Sequence, residues 1–195
     1  MIKFIMTIML NMGLVSCATN PVQFYVLEPL SSLSASSENG QQYSIGIGPV
    51  SIPVLLEQKK IVTRSSDNTV QISEFHQWGS PLQDNFVQAL TYNLTTLQPN
   101  NIVRAYPWSV HGTVDRQIII DLIRFDTIPG KSANLIANWT IKNESSHEVL
   151  KNGRSLITHT LMDNTYPGSV HALSKLINQF SQELAMALST IAPDK

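Results

Sequence analysis

Gln117-Ile118-Ile119-Ile120-Asp121-Leu122-Ile123-Arg124-Phe125 is the most apolar strand pattern in the body of the chain. Both faces of such a strand carry apolar side chains, which predicts a central position in a sheet. Strict alternation puts Asp121 opposite in face to both Arg124 and Asp126, so Asp121 is expected to pair with neither along the strand. Downstream, Pro129-Gly130 marks a turn. Leu135, Ala137, Trp139 and Ile141 then share one face of the next strand, with Asn134, Asn138 and Thr140 on the other. A hydrated turn over 143–148 leads into a last strand, Val149 to Thr160, with Gly153 read as a bulge. The chain closes with a helix from Ser169 to Ile191. Val170, Leu173, Leu176, Ile177, Phe180, Leu184, Ala187, Leu188 and Ile191 form its apolar stripe, and Pro193 ends it.

Upstream lie further strands and the other main helix. Phe24 to Leu27 reads as a strand stopped by Pro29, followed by a Ser-rich loop over 31–42. Tyr43, Ile45 and Ile47 alternate with small residues and predict a strand with one packed face. Gly46 and Gly48 are not a phosphate loop, because Pro49 follows and no helix opens there. Ile61–Arg64 and Thr69–Ile72 flank a turn at Ser65-Ser66-Asp67-Asn68. Ser80 as N-cap, Pro81 at the first helical position and Gln83 as capping-box partner open a helix. Leu82, Phe86, Leu90, Leu94 and Leu97 line its inner face, and Pro99 stops it. Ile102-Val103-Arg104 is a short strand before Tyr106-Pro107-Trp108. The expected architecture is an α/β fold of the α+β type: a two-layer sandwich, its mixed sheet mostly antiparallel with six to eight strands, and two main helices packed on one face.

The N-terminus carries a different kind of signal. Lys3 supplies a positive start, 4–12 are nearly all apolar, and Leu14-Val15-Ser16-Cys17 follows. This is the form of a secretory signal peptide over 1–16. A small residue before a cysteine at the cut resembles the bacterial lipobox, with cleavage between Ser16 and Cys17 and palmitate-type acyl chains on Cys17. Several acyl chains hold a protein in a membrane where one is marginal. Ala18 follows Cys17 in place of the aspartate that tends to retain lipoproteins in the inner membrane, so the resemblance points to the outer membrane and the periplasm. Residues 17–22 form a lipidated tether of about 20 Å at full extension, and 23–195 a single lipoprotein domain. Cys17 is the only cysteine, so no intrachain disulfide can form.

Composition removes whole classes of function. A net charge of −1 gives no electrostatic case for nucleic acid. Charged residues are 14% of the chain, below the usual quarter, which suits a surface that packs against other proteins. His76, His111, His147, His159 and His171 never fall at metal-ligand spacing. No Gly-x-Ser-x-Gly elbow exists. Asn93-Leu94-Thr95 and Asn138-Trp139-Thr140 match glycosylation sequons, which carry little meaning in a bacterial periplasm. No catalytic residue, metal ligand or cofactor is expected beyond the acyl chains on Cys17.

Several short motifs occur in a fixed order behind the lipobox: Gly48-Pro49-Val50-Ser51-Ile52-Pro53, Ile61-Val62-Thr63-Arg64, Trp78 with Pro81-Leu82, Pro107-Trp108, Arg124-Phe125-Asp126 and Ala137-Asn138-Trp139. The set resembles the PqiC/YmbA family of ABC-type transport auxiliary lipoproteins. Glu57-Gln58-Lys59-Lys60, Gln77 and Gly79-Ser80 depart from the family pattern. The resemblance implies a non-enzymatic outer-membrane partner of an MCE-domain (PqiB-like) lipid-transport protein and of its inner-membrane component, either PqiA-like or an ABC transporter. It also implies that a homo-oligomeric ring is available to such proteins. Trp78, Tyr106 and Trp108 are the candidate partner or oligomer interface, since aromatics are enriched at hot spots. Two other classes stay open: an assembly lipoprotein for a β-barrel or secretin (LptE- or pilotin-like), and a periplasmic enzyme.

Overall fold

The computed structural model describes residues 20–31, 42–65, 68–108 and 112–192. The leader, Ser16 and Cys17, most of the Ser-rich loop, Ser66 and Asp67 of the predicted turn, His111 and Pro193 lie outside the described residues. In chain order the elements are β1 (Gln23–Tyr25), β2 (Ser44–Ser51), a 3-10 turn (Val54–Leu56), β3 (Lys60–Arg64), β4 (Val70–Trp78), α1 (Leu82–Leu97), β5 (Ile102–Ala105), β6 (Arg116–Ile128), β7 (Ser132–Asn143), β8 (Val149–Thr160) and α2 (Tyr166–Ser189).

The strands divide between two sheets, of order β5-β2-β6-β7-β8 and β1-β4-β3. β6, the apolar strand, occupies the centre of the larger one, as its two apolar faces predict. Its long pairings with β7, and of β7 with β8, are antiparallel, whereas β2 runs parallel to both β5 and β6. A parallel neighbour needs a crossover, and the chain between β2 and β6 supplies it with β3, β4, α1 and β5. The smaller sheet is a finding that strand-by-strand patterning did not separate from the larger. β3 lies against β6 without laddering to it, and joins it through Arg64 and Asp126.

Both helices cover one face of the larger sheet, α1 over β2 and β5, α2 over β6, β7 and β8. Ile118, Ile120, Leu122 and Phe125 of β6 point at Phe86 and Leu90 of α1 and at Phe180 and Leu184 of α2, within one continuous core. Phe86 meets Phe125 edge-on at 5.5 Å and Phe180 at 6.2 Å, within the range favoured by aromatic pairs. The predicted stripe of α2 is buried from Val170 to Leu188.

Three local expectations are corrected. Ser80 does not cap α1. Pro81 occupies the N-cap with no side-chain hydrogen bond, and Gln83 instead donates to the Val50 carbonyl of β2 at 2.6 Å. Tertiary contact outcompetes the local box. α2 begins earlier than Ser169, because Thr165 accepts from the Gly168 N–H at 3.2 Å and Pro167 fits the first turn. Gly153 is no bulge: it pairs in register with Trp139, whose indole lies where a Cβ would stand. The bulge of that pairing lies nearer the turn, between Ile141 and Lys142.

Candidate interaction surfaces

A bulge in β6 decides how its polar residues are arranged. Asp121 pairs with Asn138, Arg124 with Ile136 and Asp126 with Asn134, and the register shifts between Leu122 and Arg124. The three partners alternate along β7, so Asp121, Arg124 and Asp126 share the face away from the helices. This overturns the parity argument, because one extra residue reverses every face beyond it. Asp126, 3% exposed, accepts from Arg64 Nε at 2.5 Å and from Arg124 Nε at 2.9 Å. Two motifs far apart in sequence, Ile61–Arg64 and Arg124–Asp126, thus meet in one ion cluster that ties the small sheet to the large one. Asp121 accepts from Ser51 Oγ at 2.6 Å and stands about 13 Å from Asp126 along the strand, too far for a carboxylate pair.

The three aromatic candidates have unequal settings. Trp78 is 4% exposed and belongs to the core, and its backbone N–H donates to the Lys59 carbonyl at 2.7 Å. Trp108 is 8% exposed and lies on the sheet face opposite the helices, against Gly46: a Cβ added there would stand 2.7 Å from the indole. Tyr106 packs over Gly48, meets Trp108 edge-on at 5.2 Å and remains 56% exposed. The glycine pair is therefore the seat of two aromatics, and Tyr106 supplies the exposed part of that surface. Cys17 and Ser16 lie outside the described residues.

Sequence reasoning passed over two polar clusters. Asn93 is fully buried between the helices, donating to Asn178 Oδ1 at 2.8 Å and Ser181 Oγ at 2.9 Å while accepting from the Leu30 N–H at 2.7 Å. A sequon asparagine in that position has no surface to offer. Ser174 accepts from the Glu28 N–H, so both helices grip the segment after β1. The second cluster joins β1, β4 and α2. The Tyr25 hydroxyl lies 2.6 Å from Gln23 Oε1 and 2.7 Å from His76 Nδ1, and His76 stacks on Tyr166 at 4.0 Å. Burial first, and the neighbouring Tyr166 second, push the Tyr25 phenol up, which opposes any role as an acid or nucleophile near neutrality.

The grooves are shallow and open. One of about 460 Å3 between β8 and α2 is lined by His159, Lys175, Asn178, Gln182 and Glu183. Among the described residues no group of three or more His, Cys, Asp or Glu could hold a metal ion, and no helix is long and apolar enough to cross a membrane.

The model of the ABC-type transport auxiliary lipoprotein component family matches residues 25–185. The chain belongs to this family. The ordered motifs of this auxiliary lipoprotein component all fall within the match, and several of them touch one another in the fold. Its fold is shared by an uncharacterized protein of known crystal structure, at TM-score 0.72 and 16% identity over 87% of this chain and 99% of that one. A Xanthomonas campestris protein of the DUF330 family is similar at TM-score 0.69 and 13% identity, over 84% and 93%. These identities speak for the fold alone. No curated protein sequence matches the auxiliary component.

Proposed function

We propose that this auxiliary lipoprotein is cleaved before Cys17, acylated there, and held by the outer membrane with residues 23–195 in the periplasm. It serves there as a non-catalytic partner of an MCE-type lipid-transport system. The observation that carries this reading is the family match over residues 25–185, which spans nearly the whole folded body. The leader with Lys3, Ser16 and Cys17 and the absence of aspartate at position 18 support the destination. Hydrogen-bonded polar clusters spent on joining elements, at Asn93, Asp126 and Tyr25, support a scaffold rather than a catalyst.

Crosslinking in intact cells, followed by mass spectrometry of the captured partners, tests the proposal. Capture of an MCE-domain protein is expected. Capture of a β-barrel or secretin without one would select the assembly reading, and capture of neither would remove the transport role.

A further inference from the structure

The extended segment through β1 presents two unlike faces. Tyr25 and Leu27 turn inward, to His76 and to the core. Val22, Phe24 and Val26 turn outward and are 41%, 67% and 62% exposed. Phe24 pairs with Gln77 of β4, which pairs with Lys60 of β3. Residues paired across a sheet point to the same face, so Phe24, Gln77 and Lys60 form one row about 10 Å long. Lys59 and Lys60 are both exposed. Phe75, also exposed, precedes Gln77 by two residues. Val26 runs on into an open groove of about 440 Å3 with Pro29, Ala89 and Tyr92, and Tyr92 is itself half exposed. An apolar strip bordered by lysines and a tyrosine has the chemistry of the bilayer interface. There apolar side chains enter the acyl boundary, aromatics sit at headgroup level and lysines reach phosphates.

Position selects the bilayer as occupant. Val22 is the fifth residue after Cys17, so at most about 18 Å of chain separates the strip from the lipidation site. We infer that Val22, Phe24 and Val26, with Lys59 and Lys60 beside them, form a membrane-contact strip that lies against the phospholipid surface into which Cys17 is anchored. The inference rests on the anchoring reading above. It adds an orientation: β1 faces the bilayer, and the larger sheet carries Tyr106 elsewhere for protein partners.

The test places a tryptophan on the strip. Full-chain protein matured in cells is reconstituted into vesicles of phosphatidylethanolamine and phosphatidylglycerol, with and without brominated acyl chains, after its mass has shown whether Cys17 is acylated. In Phe24→Trp the added emission shifts to the blue and is quenched by the brominated lipid. In Leu156→Trp, at a residue 68% exposed on the edge strand β8, it is neither shifted nor quenched. An acylated, vesicle-bound Phe24→Trp protein with solvent-like, unquenched emission would overturn the strip while leaving the anchor intact. A mass without acyl chains would overturn the anchor. The strip is then read from partition of the same protein into added vesicles, where loss of binding in Phe24→Ser supports it and failure of the unsubstituted protein to bind overturns it.

Discussion

A methyl group added at Gly46 would stand 2.7 Å from the Trp108 indole, on a strand paired on both sides, by β5 and β6. Gly46→Ala is expected to cost about 1–3 kcal/mol, the range for an overpacked site, read as a lower urea midpoint with an unchanged slope. Asp126 is the second sensitive residue. Replacing it with Ala leaves Arg64 and Arg124 without their shared acceptor. Both arginines are partly exposed, so solvent screens them and the loss is about 2 kcal/mol, measured by the same titration. Tyr25 makes a pH-dependent prediction. Its phenol is raised above the ordinary value near pH 10, chiefly by burial. The fold therefore favours the neutral form. That contribution is fully present below the ordinary value and is lost as pH rises through the higher folded one. The fall in melting temperature above about pH 10 should be smaller in Tyr25→Phe than in the unsubstituted protein.

At the scale of elements, the joint between the helices is polar at its middle and apolar on either side. Asn93 serves Asn178, Ser181 and the Leu30 N–H at once. Asn93→Ala strands three partners inside the joint and is expected to cost about 2–3 kcal/mol, with faster amide exchange at Leu30 as its local signature. The apolar pattern of each helix was legible in the sequence because a 3.6-residue period is a local property. Asn93 was not, because a buried asparagine and an exposed sequon read alike until the facing helix is known. The parity of β6 failed for a related reason. Alternation gives faces only up to the first bulge, and the extra residue at Ile123 shows only in the pairing with β7.

For the whole molecule, the folded body and the proposed anchor are separate stretches of the chain, and each has its own test. With Cys17 as the only cysteine, the folded body owes nothing to an internal crosslink. Reductant should leave the melting temperature of the monomer unchanged, as differential scanning fluorimetry would show. Cys17→Ser should leave an unacylated precursor that retains its leader, identified by its mass and by absence of acyl labelling. The same folded body is expected in both proteins, since the core among the described residues runs from Leu27 to Leu188.

The sequence by itself determined the helix stripes, the central place of β6 and the order of motifs that carries the family. Each is written in near neighbours along the chain, by a period of two or 3.6 or by a short string. Only the tertiary structure decided that the strands divide between two sheets, that Gly46 and Gly48 seat Trp108 and Tyr106, and that Arg64 and Arg124 converge on Asp126. It also decided that Trp78 is core whereas Tyr106 is surface. These depend on register and on contacts between residues tens of positions apart, where a one-residue shift in pairing moves every side chain to the opposite face.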